Sequence, residues 1–461
     1  MQFKARNMTE GNPLRLILSL SLPLMLGNAC QQLYTVADTA IVGRALGSNA
    51  LAALGAVSWF NWMMLSFIQG LSEGFCIRMA QEYGAGNLPG LRKTIGNSCV
   101  LSAIAAAILT VAGLLSIRFV LEILETPPEI LPLSTRYIRM LFFATPVVMA
   151  FNLCSSILRA LGDGRTPLLA MLVASGINIG LDLLLVVVFP CGVAGAALAT
   201  VIAQAFSVLF CLRALAKNRI FLLRKEDFRL ERKLDWILIR LGLPVALQNA
   251  IISVGGMIVQ KVVNGFSVAF IAGYSATNKL YGVLEVAATS FGYSMSTYVG
   301  QNLGAREFSR IRSGVRAGVL AALATSAVIG GSMLLFGREI LSLFVKVNVE
   351  DLREAAQAAQ ALDVAFEFLS LMSMCLPILY ILYVYRSSLQ GSGDTLTPML
   401  SGVVEFIMRV SAAIWLSKKI GYSGVFYAEV LAWAGADLIL VSMWYVRSWR
   451  ISRGKSSVIL S

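Results

Sequence analysis

Apolar runs long enough to cross a lipid bilayer recur from one end of this 461-residue chain to the other. Val100 to Leu115, Leu168 to Phe189, Val193 to Leu212 and Val319 to Leu335 each approach the roughly 20 residues that span hydrocarbon. Lipid offers no hydrogen-bond partners, so such segments must be helices or closed barrels. Barrel strands alternate apolar and polar residues, and these runs do not. With 57% hydrophobic and 14% charged residues, against about a quarter charged in soluble domains, the chain reads as an all-α integral membrane protein.

Turn residues divide it into twelve spans: 14–42, 50–82, 92–117, 131–156, 167–189, 192–215, 236–264, 268–299, 312–336, 360–389, 398–417 and 421–446. Basic loops with Arg78, Arg92 and Lys93, with Arg159 and Arg165, and with Arg306, Arg310, Arg312 and Arg316 fall on one side. So do Lys4 and Arg6 at the N-terminus and Arg447, Arg450, Arg453 and Lys455 at the C-terminus. The other side carries Glu122, Glu125 and Glu129, and Glu350, Asp351 and Glu354. The positive-inside rule then places both termini in the cytoplasm. The polar stretch Lys217 to Lys233 is expected to be a cytoplasmic linker, its charge run a solvated helix.

The two sides of that linker repeat each other. Leu20-Ser21-Leu22-Pro23 returns as Leu241-Gly242-Leu243-Pro244, Gln81-Glu82-Tyr83-Gly84-Ala85 as Gln301-Asn302-Leu303-Gly304-Ala305, and Gly162-Asp163 as Gly393-Asp394. Six spans per copy give both copies one orientation, related by a twofold axis along the membrane normal. The expected organisation is a six-helix lobe over 1–216, a linker over 217–234 and a second six-helix lobe over 235–461.

Several function classes are excluded. The net charge of +13 does not point to nucleic acid, because Lys and Arg sit between apolar runs. No histidine is present, which removes His-based zinc sites, triads and proton relays; no catalytic residues and no cofactor are expected. No Gly-x-x-x-x-Gly-Lys-[Ser/Thr] loop supports a nucleotide-driven pump. Leu14 to Ala29 could pass for a signal peptide, but helix continues past Cys30 and the pattern returns mid-chain, so it is expected to remain. The seven scattered cysteines, 30, 76, 99, 154, 191, 211 and 375, read as small buried side chains.

Asp38, in Tyr34-Thr35-Val36-Ala37-Asp38-Thr39, places a carboxylate inside an apolar span. That costs roughly 2.5–3.5 kcal/mol at the bilayer centre, so it should face a cavity or partner; the alternative is a structural carboxylate near the helix end. Asn178 and Asp182 in span five are four apart and share one helix face. If that face meets Asp38, two carboxylates and an amide form a site that holds a cation or shares a proton; otherwise they are an interhelical hydrogen-bond pair. Thr166-Pro167 and Thr397-Pro398 are expected to start helices, with the hydroxyl as N-cap. Pro23 and Pro244 are expected to kink spans one and seven. Glu405 and Arg409, spaced i, i+4, should neutralise each other. Glu429 and Asp437 are further embedded acids of span twelve. Glu285 has no such neighbour and is the candidate acidic substrate contact. Tyr34, Met257, Tyr281, Phe291 and Met295 are candidates to line a substrate cavity with it, ordinary helix packing being the alternative.

At these residues the chain resembles the multidrug and toxic compound extrusion (MATE) family along essentially its whole length. The resemblance is carried by the Asp38 segment ending in Val42-Gly43-Arg44, the paired Gln-x-x-Gly-Ala loops, Gly162-Asp163, and Gly195-Ala196-Ala197-Leu198-Ala199-Thr200. It implies a V-shaped pair of six-helix lobes exporting amphipathic, usually cationic compounds against inward Na+ or H+ flow. In the family's DinF-like branch the cation site corresponds to Asp38, Asn178, Asp182 and Thr200 here. The NorM-like branch uses carboxylates in spans seven and ten; span seven here has no acid and span ten none deep in the membrane, which favours the DinF-like side. A secondary antiporter is therefore expected: a monomer in the plasma membrane, with Na+ or H+ as coupling ion and a small amphipathic molecule as substrate. The alternative is a lipid-linked sugar flippase of the wider superfamily, which would want a cationic cavity.

Overall fold

The computed structural model describes residues 7–123, 126–217, 222–342 and 352–452, and these are helical almost throughout, with no strand among them. Lys4, Arg6, Glu125, Glu350, Asp351, Arg453 and Lys455, and the side chains of Glu354 and Arg450, lie outside the described residues. The helices are α1 (Pro13–Leu46), α2 (Ser48–Gly84), α3 (Leu88–Ile123), α4 (Leu131–Phe143), α5 (Thr145–Ala160), α6 (Arg165–Asp182), α7 (Val193–Ala216), α8 (Arg232–Val263), α9 (Val268–Gly304), α10 (Phe308–Ser342), α11 (Leu352–Gly391), α12 (Leu396–Ile420) and α13 (Ser423–Ser452). α4 and α5 form one span bent by 46° at Ala144, just before Pro146. Taken as one segment, they bring the helices into line with the twelve expected spans. α1 and α8 run through Pro23 and Pro244 as continuous helices.

Nine helices among the described residues are long and apolar enough to cross a membrane, and the bent pair makes a tenth. α2 and α9, 37 residues each, are more polar because protein surrounds them. Ser66, Ser72 and Glu73 of α2, and Ser290, Ser294, Ser296 and Thr297 of α9, are all buried. Helices facing lipid show the reverse: in α3 and α10 only 22% of the most apolar stretch is buried, and Leu115, Phe119, Val328 and Leu335 are exposed.

The chain forms two compact units. The first comprises Met1–Gly11, Ser19–Ala250 and Gly300–Glu307; the second comprises Asn12–Leu18, Ile251–Val299 and Phe308–Ser461. In the first, Ile68, Phe75, Ile95, Ile138, Phe142, Leu158 and Leu215 join α2, α3, α4, α5 and α7 in one apolar core. α2 meets the start of α8 through small residues: a methyl at Gly70 would overlap the Ala246 backbone, and one at Gly74 the Gly242 backbone. This four-residue spacing of small side chains is what lets membrane helices approach closely. In the second unit the core is aromatic, with Tyr274 stacked on Phe368 at 5.1 Å and Phe368 on Phe426 at 4.5 Å.

The two Gly-Asp turns have the same local structure. Gly162 and Gly393 adopt φ of 78° and 86°, a left-handed conformation that glycine takes without steric cost. The following carboxylate caps the next helix: Asp163 accepts from the Arg165 and Thr166 amides at 2.9 and 3.1 Å and from the Thr166 hydroxyl at 2.5 Å. Asp394 likewise accepts from the Thr397 amide and hydroxyl at 3.1 and 2.9 Å. The cap is thus the aspartate and not the expected threonine, because an anionic acceptor suits the positive end of a helix better than a hydroxyl.

The mid-chain charge run is not a solvated helix. Its described part is extended around a single 3-10 turn at Lys225–Phe228 that docks on α3. Asn97 donates to the Asp227 carbonyl at 3.3 Å, the Glu231 amide donates to Asn97 at 3.2 Å, and Lys93 pairs with Glu231 at 2.5 Å. Of the cysteines, Cys76, Cys154 and Cys211 are buried as expected, whereas Cys191, in the turn before α7, is exposed.

Candidate functional site

Three helices of the first unit converge on Asp182. α6 ends at this residue and continues as a π-helical turn, Leu183–Val188, a distortion often found at functional sites. The i, i+4 spacing holds: Asn178 and Asp182 are 1% and 0% exposed, while Gly176 and Gly180 on the other face open onto empty space. α7 supplies Thr200, whose hydroxyl donates to the Ala196 carbonyl at 3.2 Å and accepts from the Asn178 amide at 3.4 Å. α1 supplies Asp38, whose carboxyl group lies close enough to that of Asp182 for the two to interact. Above the site, Val42, Val186, Val193 and Ala196 close an apolar cluster.

Among the described residues these carboxyl groups meet no hydrogen-bond donor. Neither Asp182 oxygen, nor Asp38 Oδ1, nor Asn178 Oδ1 accepts a hydrogen bond, although all four atoms are buried. Two other buried acids of the unit behave differently: Glu73 pairs with Arg159 at 2.9 Å and Glu82 with Arg78 at 2.5 Å. An uncompensated buried charge costs several kcal/mol, a cost that a cation or a proton at these oxygens would remove. A set made only of carboxylate, amide and hydroxyl oxygens suits a hard ion such as Na+. Tyr34 and Tyr137 lie within electrostatic reach of both carboxyls. Tyr137, on α4, is outside the residues singled out from sequence, since a tyrosine in an apolar run carries no distinguishing signal.

Most acids of the second unit are paired instead, although Asp437 Oδ1 is buried without a partner among the described residues. Glu405 binds Arg386 at 2.6 Å and Arg409 at 2.8 Å, and Arg409 reaches Glu429 at 3.1 Å. The expected Glu405–Arg409 pair is there, but Arg386 of α11, which sequence spacing does not connect to it, is the closer partner. Glu285 accepts from the Tyr383 hydroxyl at 2.6 Å, so it too has a neighbour the sequence does not disclose. Of the proposed cavity residues, Tyr281 stacks on Trp433 at 6.1 Å and Met257 is half-buried on α8. Phe291 and Met295 are instead packed within the unit. They are 1% and 0% exposed, Phe291 against Tyr380 and Met295 against Gly318, which is helix packing.

The MatE family model matches this chain twice, over residues 23–184 and 244–415. The chain belongs to the MATE family. The double match falls on the internal repeat, one copy on each side of the linker. Among MATE relatives, the probable multidrug resistance protein YpnP of Bacillus subtilis is 27% identical over 427 residues, 92% of each chain. The DNA damage-inducible protein F of Escherichia coli is 27% identical over 345 residues, 71% of this chain and 72% of that protein. An outward-facing multidrug resistance MATE transporter structure superposes with a TM-score of 0.89 at 22% identity, covering 98% of this chain and 100% of that one. The fold is thus that of MATE transporters.

Proposed function

We propose that this protein is a secondary antiporter that exports amphipathic organic cations in exchange for Na+ or H+, with Asp38, Asn178, Asp182 and Thr200 as the coupling site. The observation that carries this reading is the buried Asp182 carboxyl group of α6, which has no donor among the described residues, beside the half-buried Asp38 of α1, whose Oδ1 is likewise buried and unpaired. Entry of a cation or proton discharges them; its departure leaves a state that is electrostatically costly to close. Coupling follows if the ion binds the inward- and outward-open states unequally, since only differential affinity shifts such an equilibrium. Export of organic compounds is supported by relatives named for multidrug resistance. The excess of basic residues on one side of the spans supports both termini lying in the cytoplasm of a cell bounded by this membrane.

Dye efflux in inverted vesicles, with Na+ and pH gradients imposed separately, tests the reading. One gradient should drive uptake of a cationic dye, and Asp38→Asn should reduce it to passive leak while the protein remains folded. Undiminished coupled transport by Asp38→Asn would overturn the assignment.

A further inference from the structure

Arg136 and Arg139 are absent from the coupling site and have no ion-pair or hydrogen-bond partner among the described residues. α4 turns Ser134, Ile138 and Phe142 into its unit. Helical spacing puts 136, 139 and 143 on the opposite side. There, with Leu131, Met140 and Ala194 of α7, they line a cavity of about 700 Å³ that contains no acidic side chain. Phe143 at its inner end is 63% exposed. The cavity therefore carries two unpaired cations, with Leu131 and Pro132 toward the start of α4 and Met140 and Phe143 further along it.

Depth along the span decides what fits. At 1.5 Å per residue, Arg136 and Arg139 lie about 8 and about 12 Å from the start of α4 at Leu131. The polar headgroup layer takes up about 5–7 Å on each side of the hydrocarbon. Both guanidinium groups thus start near or just below the headgroup boundary, where an arginine is costly unless its head reaches back to a polar partner. Phosphate is the anion found at that depth, and the planar guanidinium binds it through paired hydrogen bonds. We propose that the groove between α4 and α7 binds an anionic phospholipid, its phosphate held by Arg136 and Arg139 and an acyl chain lying along Met140 and Phe143.

The test uses the full-length protein in detergent, with thermal unfolding followed on adding phosphatidylglycerol, phosphatidylcholine or inorganic phosphate, and native mass spectrometry counting retained lipid. Phosphatidylglycerol should raise the midpoint more than phosphatidylcholine. The double variant Arg136→Gln/Arg139→Gln should lose that difference, and its ratio of retained phosphatidylglycerol to phosphatidylcholine should fall about tenfold or more, as two basic groups at an anionic surface imply. Arg136→Lys/Arg139→Lys, which keeps both charges, should retain most of the preference; if the double glutamine variant fails to fold, Arg136→Gln and Arg139→Gln singly should each lose part of it. An equal response of the unaltered protein to both lipids, or a preference that survives in the glutamine variant, would overturn the proposal. So would full reproduction of the stabilisation by inorganic phosphate, which would mark a free-anion site.

Discussion

Asp182 and Glu405 are both carboxylates withdrawn from water, and their surroundings differ in sign. Glu405 sits between Arg386 and Arg409, whereas Asp182 faces another carboxyl group and has no donor among the described residues. Removing one charge should therefore have opposite consequences. Glu405→Gln orphans the Arg386 guanidinium and should destabilise the protein by about 3–5 kcal/mol, read as a lower unfolding midpoint in detergent. Asp182→Asn removes a charge that nothing in the fold compensates, so the midpoint should hold or rise while gradient-driven dye flux falls to the leak rate. A midpoint for Asp182→Asn as depressed as that of Glu405→Gln would show that Asp182 is structural. The contrast also explains why deep acids are ambiguous in a sequence: the partner that distinguishes them lies on another helix, 19 residues away for Glu405 and Arg386.

At the scale of helices, close approach is set by glycine. A methyl on Gly84 would overlap the Gln301 carbonyl, and one on Gly304 the Gln81 carbonyl, so the paired Gln-x-x-Gly loops cross each other reciprocally. Gln301 adds hydrogen bonds, accepting from the Met8 amide at 2.8 Å and donating to the Ala160 carbonyl at 2.7 Å. Gly84→Ala or Gly304→Ala pushes a methyl against backbone that no rotamer can move. Either should cost about 2–3 kcal/mol or more and cut the yield of monodisperse protein in size-exclusion chromatography. Gly176→Ala, on a face of α6 with nothing within 4 Å, is the control; it should be neutral or stabilising by up to about 1 kcal/mol through helix propensity. Losing the aspartate cap by Asp163→Ala or Asp394→Ala should cost about 1–2 kcal/mol. The Asp394 change should cost the more, because Asp394 also holds Arg447 at 2.6 Å.

For the whole molecule, the charge asymmetry of the loops predicts which turn faces outward. Cys191 lies in the connection between the fifth and sixth spans and is exposed. With the N-terminus in the cytoplasm, an odd number of crossings precedes it, so it should react with a membrane-impermeant maleimide added to intact cells. A cysteine placed by Glu226→Cys in the linker should react only after the membrane is permeabilised. The reverse pattern would invert the orientation and, with it, the direction of transport inferred from the vesicle experiment.

Span number, helical class, the internal repeat and the shared face of Asn178 and Asp182 follow from the sequence alone. Hydrocarbon permits few backbone structures, and helical periodicity fixes neighbours three and four residues apart. Sequence reasoning missed the bend of the fourth span, named threonine where aspartate caps, and treated the linker as free in solvent. These depend on competition between donors and acceptors brought together by folding. Only tertiary structure decided which acids are neutralised: Arg386 reaches Glu405, Tyr383 reaches Glu285, and nothing among the described residues donates to Asp182. A side chain's charge is written in the chain, but whether that charge is compensated is a property of three-dimensional neighbours, because electrostatic energy depends on distance through space and not along the sequence.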